Sequence, residues 1–231
     1  MSRETDRPAG SAGAAADVCG AVVVAHGGRE VGTGPVTPLQ PAVLRMVPLA
    51  YAIRHALRGS GVVVFRPRYQ LQGWNGELAS PVDDLGRVLD QIGTQFGGIP
   101  VVLIGHSMGA RAAFRVAGHS VVSAVAGLAP WLPQGEPVAQ LAGRRILLAH
   151  GTGDHVCDPA DTWAYAERAR SVTRVAAIEV DGGEHTLLRR APLWHRMAAE
   201  FSRLSLGLPT KAGEVTEAFS EAATGAHRTL A

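Results

Sequence analysis

Cysteine is scarce in this chain, which has only Cys19 and Cys157 among its 231 residues. Two cysteines cannot build the framework of several disulfides that stabilises small secreted domains. They could form a single bridge only if the fold brought them together. A reduced, cytoplasmic setting is therefore the simpler interpretation.

Long apolar runs and blocks of like charge are also missing. No segment reaches the run of about 18 apolar residues that a membrane span needs. Charged residues make up 18% of the chain and the net charge is +2, so no electrostatic footprint for nucleic acid is present. Residues 1–17 lack the continuous apolar stretch of a signal peptide, and we interpret them as a flexible leader. These absences exclude a membrane-spanning or nucleic-acid-binding protein.

Glycine and proline, by contrast, are frequent, with 28 and 14 copies, and they predict many tight connections. Apolar residues make up 46% of the chain, which is ordinary for a globular protein. The length suits one domain with a well-buried core. We place that domain at residues 18–208 and expect residues 209–231 to be a loosely ordered or helical tail.

Short apolar runs alternate with longer helical patterns, which is typical of a parallel sheet with crossover helices. The predicted strands are Gly20–His26, Gly61–Arg66, Pro100–Gly105, Ser123–Ala129, Arg145–His150 and Arg174–Val180. The predicted helices are Ala42–Arg58, Pro81–Phe96, Met108–Ala117, Pro159–Arg170 and Ala191–Leu206. We therefore expect a three-layer α/β/α sandwich with a mostly parallel sheet of about six strands. Its ligand site should lie beyond the carboxyl ends of the strands.

The segment Gly105-His106-Ser107-Met108-Gly109 joins a predicted buried strand to a predicted helix. A turn this sharp strains its central residue and requires glycine two positions away on each side. It would hold the Ser107 hydroxyl near the partial positive charge of a helix N-terminus. The bare pentapeptide could occur by chance in a glycine-rich chain, but its position favours a nucleophilic serine.

A serine nucleophile needs a base, and the base needs a third group to orient it. His185 follows the sixth predicted strand, in a loop whose two glycines allow the backbone to turn over the sheet edge. We predict it as the base. The other histidines after Ser107 are His119, His150, His155, His195 and His227. His195 lies in a predicted amphipathic helix, which favours a structural role, while His155 is a loop residue beside the candidate acid and His227 falls in the tail.

Asp154, directly after the fifth strand, is the predicted acid. Asp158 stays open as an alternative, although its position before Pro159 suits a helix cap.

Acyl transfer also needs two hydrogen-bond donors for the oxyanion. The backbone N–H of Met108, next after the nucleophile, is one candidate. The loop His26-Gly27-Gly28 after the first strand supplies the second, and we choose the Gly28 N–H over that of Arg29. A plain glycine-rich turn is the alternative for this loop.

These motifs together resemble the α/β-hydrolase superfamily over about Cys19 to Leu208, and most closely its small, capless, esterase- or lipase-like serine hydrolases. The resemblance implies a Ser107–His185–Asp154 triad, an acyl-enzyme intermediate and no metal or organic cofactor. Two departures are visible. The usual N-terminal antiparallel hairpin has no room, and the segment Pro130–Gly143 is too short for a lid domain.

Trp74, Trp131 and Arg29 are predicted to contact the substrate. Tryptophans in loops are equally often packing anchors, and that alternative stays open for both rings. Arg29, with Arg68, would steer an anionic group such as a carboxylate, unless both arginines form structural ion pairs. The acidic residues available for such pairs are Glu77, Asp83 and Asp84.

The sequence thus predicts a hydrolase that cleaves a carboxylic ester or thioester of a small-molecule acyl substrate. An acyltransferase or a peptidase-like hydrolase with the same triad is the alternative. A third hypothesis is a non-catalytic ligand-binding protein on this scaffold. The intact set of serine, histidine, aspartate and oxyanion-loop glycines argues against it. The sequence leaves the acyl group and the oligomeric state open, a homodimer included.

Overall fold

A computed structural model describes residues 18–222 and 228–230, so the expected leader at 1–17 lies outside the described residues. Over these residues the chain forms one sheet of seven parallel strands, together with six α-helices. The strands are β1 (Gly20–Ala25), β2 (Val62–Phe65), β3 (Val101–His106), β4 (Val122–Leu128), β5 (Arg145–Gly151), β6 (Val175–Val180) and β7 (Arg228–Leu230). The helices are α1 (Pro41–Ala56), α2 (Ser80–Phe96), α3 (Met108–Arg115), α4 (Pro159–Arg170), α5 (Ala191–Ser205) and α6 (Glu214–Glu221).

The strand order across the sheet is β2-β1-β3-β4-β5-β6-β7. The chain leaves β1 toward one side of the sheet to form β2, and returns to the other side of β1 to form β3. The order of the strands therefore reverses at β1, and a crevice opens between the carboxyl ends of β1 and β3. The fold places the His26–Gly28 loop and Ser107 on either side of that crevice.

Helices cover both faces of the sheet and make the three layers. α1, α5 and α6 bury side chains against one face, and α2, α3 and α4 bury side chains against the other. The central strands are apolar and buried on both faces: every residue of β1 and β3 is buried. This double burial explains why the strands appear in the sequence as continuous apolar runs.

The predicted fold class is confirmed: all six predicted strands and all five predicted helices are present, with each boundary within two residues. Pro48 lies inside α1, which nevertheless begins at Pro41 and runs on to Ala56. Between β4 and β5 the chain forms one 3₁₀ turn, Ala139–Leu141, and no inserted domain. None of the helices in the described ranges is long and apolar enough to cross a membrane.

Beyond residue 208 the structure has a helix, which was one of the two alternatives for the tail, and a strand that the sequence did not predict. α6 packs on the sheet through Val215, Ala218 and Phe219, and β7 extends the sheet by pairing with β6. The Phe219 ring stacks on that of Phe201, with ring centroids 6.3 Å apart and planes 16° apart. The described part of the expected tail is therefore packed on the core, while the domain boundary at 208 stays a prediction.

If α6 belongs to the cooperative core, Phe219→Ala should lower the free energy of unfolding by about 3–5 kcal/mol, because it removes a buried aromatic ring. Urea denaturation followed by circular dichroism measures this change. Ser220→Ala, at the exposed next position on the same helix, is the control and should change stability by less than about 0.5 kcal/mol. Equal midpoints for the two variants would show that α6 contributes nothing to the core.

Candidate active site

Ser107 lies in the turn between β3 and α3, with a backbone φ of 55° and ψ of −123°. A positive φ is unfavourable for a non-glycine residue and costs about 1–3 kcal/mol, so it persists only where neighbouring bonds impose it. Here the Ser107 N–H donates to Leu128 O at 3.3 Å, and the Ala110 N–H donates to Ser107 O at 3.0 Å. The first bond fixes the turn to β4, and the second fixes it to the first turn of α3.

The two flanking glycines allow close backbone approach, as the sequence predicted. A Cβ on Gly109 would lie 2.6 Å from Ala25 O, at the end of β1. A Cβ on Gly105 would lie 2.6 Å from Gly109 O, within the turn itself. Any side chain at either position would push α3 away from the sheet and move Ser107 with it.

His185 lies in the loop after β6 and reaches back over the sheet edge to Ser107. Its Nε2 is 3.1 Å from Ser107 Oγ, and its Nδ1 is 2.8 Å from Asp154 Oδ2. The carboxylate can only accept, so Nδ1 carries the hydrogen and Nε2 is left to accept the serine proton. The structure thus brings together the three residues predicted as nucleophile, base and acid.

Asp154, in the turn after β5, has a fully buried carboxylate. Oδ1 accepts the backbone N–H groups of Val156 at 2.8 Å and Cys157 at 3.0 Å, and Oδ2 accepts His150 Nε2 at 3.0 Å as well as His185. Burial alone would raise the pKa of Asp154, but the hydrogen bonds from His150, His185 and the two amides outweigh it. The pKa of the carboxyl is held well below its usual range, so Asp154 is ionised.

The alternative acid, Asp158, has a different role. Its Oδ1 accepts the Ala160 N–H at 2.8 Å, which makes it the N-cap of α4. Among the other histidines, His155 is exposed, His119 pairs with Asp90 on the surface and His195 lies in α5. His227 lies outside the described residues.

The predicted oxyanion donors border the same crevice. Met108 is the first residue of α3, so its N–H has no partner within the helix. Gly28 lies directly against Met108: a Cβ on Gly28 would overlap the Met108 side chain and would lie 2.7 Å from Gln72 O. Arg29, the alternative to Gly28, donates its N–H to Gln72 O at 2.9 Å and is already engaged.

Two buried histidines, His26 and His106, are neutral and support this edge of the sheet. His106 Nε2 donates to His185 O at 2.7 Å, and burial lowers the pKa of His106 to about 3. His26 accepts the Tyr69 N–H on Nε2 at 3.3 Å and therefore donates from Nδ1 to Gly27 O at 2.6 Å. Burial lowers the pKa of His26 to about 4. Each ring fixes the backbone of a neighbouring loop.

Cys157 is a further site residue that sequence reasoning missed. Its thiol lies within hydrogen-bond reach of the Ser107 hydroxyl, and burial raises the pKa of Cys157 to about 12. A thiol this weakly acidic stays protonated and is a poor nucleophile. Cys157 therefore packs against Ser107 without competing for its chemistry.

The two predicted pocket tryptophans form one stack with an arginine from α3. The Arg111 guanidinium lies 3.9 Å from the Trp74 ring and 4.4 Å from the Trp131 ring, and Arg111 Nε donates to Glu136 at 2.7 Å. Trp74 is 3% exposed, which favours the packing alternative for that ring. Trp131 is half-buried, and its backbone N–H donates to Ser107 O at 3.3 Å.

Arg29 is exposed beside the crevice, and its backbone carbonyl accepts the Trp74 N–H at 2.9 Å. Of the acidic residues considered as its ion-pair partners, Asp84 instead accepts from Arg87 and from Gln70. The predicted contact of Arg29 with substrate stays a prediction.

The low pKa values of His26 and His106 make stability pH-dependent. Below pH 6.5 the unfolded chain protonates both imidazoles while the folded chain does not, so acid favours unfolding until the pH reaches the folded pKa values of about 4 and about 3. Each histidine should lower the free energy of unfolding by about 1.4 kcal/mol per pH unit in that window. His106→Gln keeps a donor for His185 O but does not titrate. Urea titrations between pH 6 and pH 4 should give a shallower slope for this variant, and parallel curves would contradict the assignment.

Comparisons with known proteins agree on the architecture. No family model and no curated protein sequence matches the chain. A lidless α/β serine hydrolase from Xanthomonas campestris is 19% identical, with 84% of each chain covered and a TM-score of 0.57. A monoacylglycerol lipase from Paleococcus ferrophilus is 16% identical, covering 81% of this chain and 94% of its own, with a TM-score of 0.58. An esterase domain from Rhodothermus marinus is 18% identical, covering 82% and 87%, with a TM-score of 0.56. With seven parallel strands, helices on both faces and no inserted domain after β4, the chain has the lidless α/β-hydrolase fold.

Proposed function

We propose that this protein is a serine hydrolase that cleaves a carboxylic ester or thioester through an acyl-Ser107 intermediate. The observation that carries the proposal is the unbroken hydrogen-bonded line from Ser107 Oγ through His185 to Asp154, at 3.1 Å and 2.8 Å. A serine, a histidine and a buried carboxylate in this geometry are the parts that nucleophilic acyl transfer needs. The esterase domain and the lipase of similar fold support ester cleavage as the reaction class.

In the first half of the reaction, His185 Nε2 takes the proton of Ser107 as Oγ attacks the carbonyl carbon of the substrate. The bond between Oγ and carbon forms while the carbonyl π electrons move to its oxygen. Asp154, ionised and held to Nδ1, stabilises the positive charge that His185 acquires. The tetrahedral intermediate then expels an alkoxide or thiolate, which receives the proton from His185.

The oxyanion of that intermediate would be bound by the N–H groups of Gly28 and Met108. Both groups border the crevice, and that of Met108 points along the N-terminal end of the α3 dipole. Neutral His26 donates from Nδ1 to the Gly27 carbonyl, so that oxygen already has a hydrogen-bond partner. Water then attacks the acyl carbon while His185 Nε2 takes its proton. The bond from that carbon to Ser107 Oγ breaks, and His185 returns the proton to Oγ as the carboxylic acid leaves.

Trp131 and Arg29 are the proposed contacts with substrate outside the reacting atoms. The backbone N–H of Trp131 donates to the Ser107 carbonyl, which ties this residue to the nucleophile turn, and its half-buried ring is the proposed contact with the acyl group. Arg29 follows the oxyanion loop and is exposed, where it could meet a carboxylate on the substrate. Trp74 supports Trp131 through the Arg111 guanidinium, which lies against both rings. The free thiols of Cys19 and Cys157 support a cytoplasmic setting.

Ser107→Ala and His185→Ala should each reduce kcat/KM for an aryl ester by about 10⁴-fold or more, because the first variant lacks the nucleophile and the second lacks the base that takes its proton. A fluorophosphonate probe should label the wild-type protein and leave Ser107→Ala unlabelled. His155→Ala, an exposed histidine next to Asp154, is the matched control and should keep full activity. Equal turnover in wild type and Ser107→Ala would refute the proposed function. Amines, thiols and peptides added to the same assay distinguish hydrolysis from acyl transfer and peptide cleavage.

A pair of matched substitutions identifies the acid. Asp154→Asn places an amide N–H against His185 and favours the wrong tautomer, so kcat should fall by about 10³- to 10⁴-fold. Asp158→Asn makes the same chemical change four residues away, where asparagine caps α4 as well as aspartate does. It should leave kcat unchanged. The reverse pattern, measured on the same ester, would make Asp158 the acid.

A further inference from the structure

A second histidine contacts the carboxylate that orients His185. His150, the last residue but one of β5, is fully buried between α4 and the turn that carries Asp154. Its Nε2 is 3.0 Å from Asp154 Oδ2, and its Nδ1 is 2.6 Å from Thr162 Oγ1. Thr162, on α4, is also fully buried. The proposed mechanism does not use either residue.

The hydrogen positions in this pair follow from its chemistry. A carboxylate only accepts hydrogen bonds, so His150 Nε2 carries the hydrogen that faces Asp154. His150 Nδ1 is then an acceptor, and the Thr162 hydroxyl must donate to it. Thr162 thereby fixes the tautomer in which His150 is a donor to the carboxylate.

Asp154 has no acceptor position left over. Each carboxylate oxygen has two lone pairs, and each oxygen here accepts two N–H groups. Val156 and Cys157 fill Oδ1 from the backbone, while His150 and His185 share Oδ2. While these four donors are in place, no further donor, a water molecule included, can bind the carboxylate.

We infer that His150 is a positioning residue of this site, which acts on His185 through the oxygen that the two rings share. The inference rests on the proposed function. An oxygen that accepts two N–H donors has less negative charge to offer each of them, so it stabilises a positively charged His185 less than an oxygen with one donor would. His150 thus weakens the hold of Asp154 on a positively charged His185 through the oxygen that both rings contact. It also fixes the rotamer of Asp154, and so the direction in which His185 points.

The groups that the described residues place around this pair come from several elements. The ionised Asp154 touches both rings, and the Cys157 thiol and Ser107 lie beside it. The His106 ring is 5.0 Å from the His185 ring and is neutral. Trp163 packs against His150 from α4 with ring centroids 6.4 Å apart, and Asp161 acts on Cys157 from the same helix. The shared oxygen is therefore the direct route from His150 to His185.

The test compares His150→Leu, which removes the donor, with His150→Gln, whose amide nitrogen replaces Nε2. The pH dependence of kcat/KM is measured on p-nitrophenyl acetate, and the titration of His185 is followed by NMR of labelled imidazoles in the full chain without substrate. In His150→Leu, the acid limb of the profile and the His185 midpoint should both move up by about 0.5 to 1 pH unit. The loss of positioning should also lower kcat by about 10- to 100-fold. His150→Gln should return both pH values to within about 0.2 unit of wild type.

A merely structural role for His150 predicts a different result. Both variants would then lose thermal stability and some kcat, but the acid limb and the His185 midpoint would stay at the wild-type pH, and that outcome overturns the inference. If His150→Leu does not fold, Thr162→Val carries the test. It keeps the shape of the side chain but removes the hydroxyl that strengthens His150 as a donor, and it should move both values in the same direction by a smaller amount.

The two readouts separate this inference from the proposed function. If wild-type protein cleaves no ester or thioester and resists fluorophosphonate, the proposed function fails, while the NMR titration still decides whether His150 acts on His185. If wild type is active but neither His150→Leu nor Thr162→Val moves the two pH values, the inference on His150 fails alone.

Discussion

The buried negative charge of Asp154 is the constraint on which this end of the structure depends. Taking a carboxylate out of water costs several kcal/mol unless hydrogen bonds replace its hydration. The four N–H donors that replace it come from the end of β5, the turn after it and the loop after β6. The hydrogen bonds to this one carboxylate therefore connect three segments of the chain. His185 is held over Ser107 as a consequence, because its loop is tied to Asp154 by the ring and to His106 by the backbone.

The strain at Ser107 is supported in a similar way, by bonds from separate elements. Its backbone accepts from the first turn of α3 and from Trp131 after β4, and donates to the end of β4. These bonds over-determine the turn, so the positive φ does not relax into a helical value. The Arg111 stack on Trp74 adds a link from α3 to the loop that bonds the backbone of Arg29, next to Gly28, a proposed oxyanion donor. This stack thus connects the turn that carries Ser107 to the loop at residues 26–29.

Much of this architecture could be predicted from sequence because parallel strands with two buried faces leave long apolar runs, and because the proposed reacting residues follow strand ends. β7 could not be predicted: three residues are too few to show periodicity, and the strand exists through its pairing with β6. His150 was also missed, since a histidine in a buried strand looks like a core residue until its ring is placed against Asp154. Trp74 gave no local sign that Arg111, 37 residues away, would cover it. Such cross-chain pairs depend on tertiary contact, which local patterns do not encode.

The histidines at this sheet edge differ in role because their neighbours differ. His26 and His106 are buried without a carboxylate, so burial keeps them neutral and makes them supports for backbone. His150 has the carboxylate but is fully buried with Thr162 on its other nitrogen, so it has no route to a substrate. His185 joins Asp154 on one nitrogen to Ser107 on the other, and its side chain is 13% exposed. It is thus the histidine of these four that can both take the serine proton and return it to a leaving group, and this follows from its partners rather than from its residue type.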